Sequence, residues 1–81
     1  MNDRALALAV VLALFDLTRA GLEPSIERLS GRLGSPERPV RRALERLRAR
    51  GLVRELRLTL IGLALAASLD QSRIATIALA A

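Results

Sequence analysis

"LGSPERPVRRALERLRARGLV", residues Leu33 to Val53, decides how this chain folds. Ser35, Pro36 and Glu37 are a capping hydroxyl, a proline suited to the first helical position and a first-turn acid, three helix-start signals in consecutive positions. Val40, Leu44 and Leu47 then recur at the spacing of a buried stripe. Gly51 supplies a stop just after Arg48 and Arg50, cations set against the C-terminal end of the helix dipole. The spacing predicts a helix over 36–50. Opposite the apolar stripe, Arg38, Arg42, Arg46 and Arg50 form an i, i+4 row about 18 Å long at about 1.5 Å rise per residue. Each like-charged i, i+4 pair costs an isolated helix roughly 0.2 to 0.5 kcal/mol, a penalty that a polyanion laid along the row would reverse.

On the N-terminal side, Asn2 or Asp3 can cap a first helix that runs to Ala20, with Gly21 as its stop. Ala5 to Phe15 are eleven apolar residues in a row, so this helix needs cover on every side. Ser25, following Pro24, starts a short second helix with Ile26, Leu29 and Leu33 on one face and Gly34 at its end. Gly31 within it costs about 1 kcal/mol relative to alanine, so packing must hold it. On the C-terminal side, Leu52 to Leu58 reads as two very short strands joined at Glu55 and Leu56. Thr59 can cap a fourth helix through Leu69, apolar on almost every side. Asp70, Gln71 and Ser72 are expected to break it. Ser72 then caps a last segment, either a helix with Ile74, Ile77 and Ala78 on one face or a strand.

Eighty-one residues make one small domain, in a size range where a core alone rarely supplies more than about 3 to 5 kcal/mol. Helices 1 and 4 carry more apolar surface than one such core needs, which predicts a homodimer built through helix 1, helix 4 and the C-terminal segment. The chain has no cysteine and no histidine, leaving only carboxylates for a metal, which does not suit structural zinc. Triads built on His or Cys are absent with them, and without lysine there is no Schiff-base chemistry. No enzyme activity and no cofactor are expected.

The positive charge is local. Residues 38 to 57 hold eight of the thirteen arginines against Glu45 and Glu55, a window of +6 in a chain of net +5. A concentrated patch attracts nucleic acid or anionic lipid. That every basic residue is arginine suits bidentate contacts to phosphate or guanine, and it also follows from an arginine-favouring base composition. The apolar run at Ala5 to Phe15 falls short of the roughly 18 residues of a membrane span. Asp16 and Arg19 stand where a signal peptide would carry small residues. No span and a cytoplasmic location are expected.

The stretch from Ser25 to Leu69, "SIERLSGRLGSPERPVRRALERLRARGLVRELRLTLIGLALAASL", resembles the winged helix-turn-helix domain of small bacterial multiple-antibiotic-resistance-type transcriptional regulators. The family pattern is a short helix ending in Leu-Gly, a recognition helix with Val-x-x-x-Leu-x-x-Leu, then Gly-Leu-Val, a wing and a Leu-Thr-x-x-Gly helix start. Val40, Leu44, Leu47, Gly51, Leu52, Val53, Leu58, Thr59 and Gly62 fall on those positions, and with helix 1 the likeness covers about residues 3 to 69. It implies a mainly α fold with a short two-stranded wing over residues 1–69; the C-terminal segment, 70–81, lies beyond the likeness and is expected, from its surplus apolar surface, at the dimer interface. The likeness also implies that double-stranded DNA is the partner. Glu37, Arg38, Arg41 and Arg42 would lie near the bases in the major groove and Arg46 at phosphates, with Arg48 and Arg50 extending the cationic surface. Two departures stand out. Ser30 replaces the usual alanine, and the wing has almost no tip, leaving Arg54 and Arg57 as its backbone-contacting candidates. A winged-helix adaptor within a larger complex and a peripheral protein on anionic membrane are the competing classes. With Phe15 the lone aromatic residue, single-stranded nucleic acid has no stacking platform.

Overall fold

The computed structural model describes residues 2–80. The chain forms four helices and one hairpin: α1 (Asp3–Arg19), α2 (Ile26–Leu33), α3 (Glu37–Ala49), β1 (Val53–Arg54), β2 (Arg57–Leu58) and α4 (Leu60–Ala80). The two strands pair antiparallel, Val53 opposite Leu58 and Arg54 opposite Arg57.

α1 is the axis of the core. Asn2 caps it, its Oδ1 accepting from the Ala5 N–H at 2.7 Å. Leu6, Val10, Val11, Ala13, Leu14 and Leu17 are buried along it. α2, α3 and α4 all pack against α1, and with Leu29, Val40, Leu44, Leu47, Val53 and Ala66 they close the core. Most of the cover that α1 needs therefore comes from its own chain. Of its large apolar residues, only Leu8, at 36% exposure, is left substantially outside.

α3 begins at Glu37, one residue later than the sequence predicts, and has no side-chain cap. Pro39 accounts for the shift. A helix capped at Ser35 would need the Pro39 N–H as its first intrahelical donor, and proline has none. The Ser35 carbonyl instead accepts from the Ser30 hydroxyl. Ser30 thus ties the α2–α3 turn across Gly34, which holds φ 61°; the Ser35 N–H closes the same turn on the Ser30 carbonyl at 3.1 Å. At the other end Gly51, at φ 71°, lets the Leu52 N–H reach the Leu47 carbonyl at 3.0 Å. This is the six-to-one bond that satisfies an orphan helix-end acceptor.

The hairpin is fastened to α4 by one residue. Thr59 Oγ1 donates to the Gly51 carbonyl at 2.7 Å and accepts from the Gly62 N–H at 3.1 Å, capping α4. The Thr59 N–H meets the Leu52 carbonyl at 3.0 Å.

α4 runs unbroken through the polar triplet at residues 70–72, where the sequence suggests an interruption. Asp70, only 8% exposed, points inward to charged partners. Arg73, one turn on, donates to it, and Arg19 of α1 reaches it at 3.1 Å. Arg73 also bonds Asp16 of α1 at 3.1 Å, and Arg32 of α2 stands 3.7 Å from Asp16. Hydrogen bonding to Arg73 holds the Asp16 carboxyl below its ordinary value, against a smaller opposing push from burial. Ser72 caps nothing; its carbonyl accepts from Thr76 Oγ1 within the helix. The C-terminal segment is thus the continuation of α4.

Candidate nucleic-acid interface

α3 is oriented by four side chains, Val40, Ala43, Leu44 and Leu47, none more than 4% exposed. Their burial turns Arg38, Arg41, Arg42 and Glu45 to solvent. The arginine row is not one flat face. At about 100° per residue, each i, i+4 step drifts about 40° around the helix, so the row winds from the solvent side at Arg38 toward α1 at Arg50.

The two halves of the row consequently have different surroundings. Arg38 and Arg42 are exposed and form no ion pair among the described residues. Arg41 lies 3.6 Å from Glu37 one turn back, so Glu37 steadies an arginine from within the same face. Arg46 lies 3.8 Å from Asp3 of α1. With Arg50 and Arg4 it rims a hollow of about 410 Å³ floored by Ala7, Leu8, Leu47 and Leu65. Arg4 is the residue that sequence reading missed. Nothing local links position 4 to positions 46 and 50; only the crossing of α1 over α3 does.

Arg48 has a structural task. Its Nε and Nη2 donate to the Glu55 carbonyl at 3.1 and 2.8 Å. Glu55 sits at the hairpin turn with φ 58°, in the left-handed region, which costs a non-glycine residue about 1 to 3 kcal/mol unless its surroundings hold it there. The forked guanidinium provides that hold, so Arg48 is committed to the turn. Arg54 and Arg57 face each other across the hairpin, a like-charge pairing that weakens so short a sheet. Arg57 offsets part of this at 3.4 Å from Glu23, while Arg54 has no ion pair among the described residues. With two residues per strand, the hairpin is too short to carry a projecting loop.

The site is therefore a cationic surface centred on Arg38 and Arg42 with Arg41 beside them, and Arg54 is exposed separately on the hairpin. Arg46 and Arg50 are turned to its flank and Arg48 is withdrawn from it. No family model, no curated protein and no solved structure matches this chain.

Proposed function

We propose that this chain is a winged helix-turn-helix domain that binds double-stranded DNA by laying α3 in the major groove, acting as a small dimeric transcriptional regulator. The observation that carries this reading is the pair of unneutralised, outward guanidiniums, Arg38 and Arg42, on a helix whose other face is fully buried. A major groove about 12 Å wide admits such a helix. The order α2, glycine turn, α3, hairpin, α4 supports the winged-helix reading. In this reading Arg38, Arg41 and Arg42 reach bases and nearby phosphates, Arg54 touches the backbone from the hairpin, and Arg46 and Arg50 add long-range attraction. Phosphate contacts supply most of the affinity.

A selection of bound duplexes from a random pool, followed by anisotropy titration of the winners, tests this directly. The expected result is an enriched motif of two-fold symmetry, with affinity lost when Arg38 and Arg42 are both changed to alanine. An unenriched pool together with unchanged affinity in that variant would falsify it.

The stunted hairpin favours a second reading, a winged-helix adaptor that uses its apolar surface on another protein. Such an adaptor shows no salt-dependent duplex binding. Residues Leu60–Leu79 of the unbroken α4 have the length and mean hydropathy, 1.2, of a membrane-crossing helix. Asp70 and Arg73 sit within that stretch and are bonded to α1; ionised groups at such depth are costly in a bilayer, and this argues against a bilayer-spanning role for the helix.

A further inference from the structure

We propose that α4 pairs with the α4 of a second copy of this chain, antiparallel, about a two-fold axis beside Leu69. The helix has two distinct sides. Gly62, Ala66 and Asp70 are buried against the body, with Leu69 and Arg73 half-buried beside them. On the other side Leu60, Ala64, Ala67, Gln71, Ile74 and Ala78 are all exposed, and they follow one another at alternating intervals of four and three residues. That is the heptad seam of a coiled coil. No residue of the seam is charged, in a chain where 26% of residues are. Leu60 is 86% exposed and Ile74 57%. Beyond Asp70, every described side chain except Arg73 is exposed. An apolar helix that projects from its own core in this way needs cover from outside it.

The seam fits its own reversed copy. Run antiparallel about Leu69, Leu60 meets Ala78, Ala64 meets Ile74 and Ala67 meets Gln71, so each larger side chain lies opposite an alanine. Run parallel, Leu60 meets Leu60 and Ile74 meets Ile74, while three alanines face alanines. The helices would then have to vary their separation along the seam, against the even packing density of protein interfaces. The reversed pairing also brings the two Gln71 side chains about 6 Å apart along the helix axis at about 1.5 Å per residue. A polar seam residue so placed penalises slipped registers. This inference rests on the dimeric part of the proposed function, and it is read without DNA, so its failure is distinguishable from a failure of α3 to bind duplex.

The absence of native cysteine makes disulfide trapping clean. Ala64→Cys and Ile74→Cys are prepared as separate proteins, checked for helical content by circular dichroism, then mixed and oxidised. The antiparallel pairing expects a covalent dimer in the mixture and none from either variant alone, because like positions then lie about 15 Å apart at about 1.5 Å per residue, beyond disulfide reach. Light scattering of the unmodified chain at micromolar concentration is expected to give twice 8.8 kDa. Ala64→Glu, which sets a carboxylate against an apolar partner, is expected to weaken self-association at least about tenfold. Covalent dimers from each variant alone would establish the parallel arrangement and overturn the proposal. So would an absence of cross-linking in the mixture, a monomer in light scattering, or dissociation of the dimer onto anionic phosphatidylglycerol vesicles.

Discussion

Gly62 and Gly31 are both glycines inside helices, yet the same substitution is expected to act on them with opposite sign. A Cβ at Gly62 would lie 2.0 Å from the Leu52 carbonyl oxygen, a backbone atom that cannot swing aside. A Cβ at Gly31 meets nothing within 4 Å. Gly62→Ala is therefore expected to lower stability by about 2 to 3 kcal/mol through overpacking, whereas Gly31→Ala is expected to raise it by about 1 kcal/mol through helix propensity. Urea denaturation of both variants beside the parent checks the pair, and equal midpoints for the two would contradict the close approach. The Leu-Thr-x-x-Gly pattern at Leu58 to Gly62 was legible in the sequence, and its physical content is now plain. Thr59 bonds the Gly51 carbonyl and caps α4, while Gly62 lets that helix sit on the carbonyl next along. Ser30 was not legible in this way. As a departure from alanine it reads as a mild change, because the Ser35 carbonyl it binds comes within reach only once the α2–α3 turn has formed.

At the scale of elements, α4 shows why the polar triplet at residues 70–72 misleads. Asp and Ser favour helix ends because their side chains compete for backbone bonds. Asp70 has better partners in Arg73, one turn on, and in Arg19, which no local pattern reveals because it lies on another helix. The helices around α3 were legible because their starts and stops are local. The extent of α4 was not, because it depends on charges brought together by packing. The same cluster sets a pH dependence. Arg73 depresses the Asp16 carboxyl below its ordinary value of 3.8, so the folded state binds its proton less readily than the unfolded chain. Asp16 therefore contributes stability that is fully present above 3.8 and is lost as pH falls through the lower folded-state value. Asp16→Asn is expected to reduce stability at neutral pH and to flatten the acid limb of a stability profile measured from pH 6 to 2. A variant limb as steep as the parent's would show that Asp16 does not drive it. Charge at Arg73 is itself secured by Asp16 and Asp70, which raise its pKa further above the range where arginine could lose a proton.

For the whole molecule, the question is how a net charge of +5 is distributed once folded. Asp3, Asp16, Glu23, Glu37 and Asp70 each stand near an arginine. Arg38, Arg42, Arg50 and Arg54 form no ion pair among the described residues; the outward pair on α3, Arg38 and Arg42, centres the surface proposed for DNA. Counterion release makes this measurable, because the slope of log affinity against log salt falls by about 0.9 for each phosphate neutralised on B-DNA. Removing both arginines from one protomer's worth of contact takes away about two such contacts, and so about 1.8 from the slope. If two copies engage one duplex through equivalent α3 helices, Arg38→Ala with Arg42→Ala is expected to reduce the slope by about 3.6. A reduction near 1.8 would mean that one α3 touches the duplex at a time, even where the protein is dimeric. Arg48→Ala provides the contrast. Since that guanidinium is committed to the Glu55 carbonyl, its loss is expected to loosen the hairpin and lower thermal stability while leaving the slope within about 0.5 of the parent's. A slope that shifted as much for Arg48 as for Arg42 would place the DNA on the hairpin side of α3 and displace Arg38 and Arg42 from the centre of the interface.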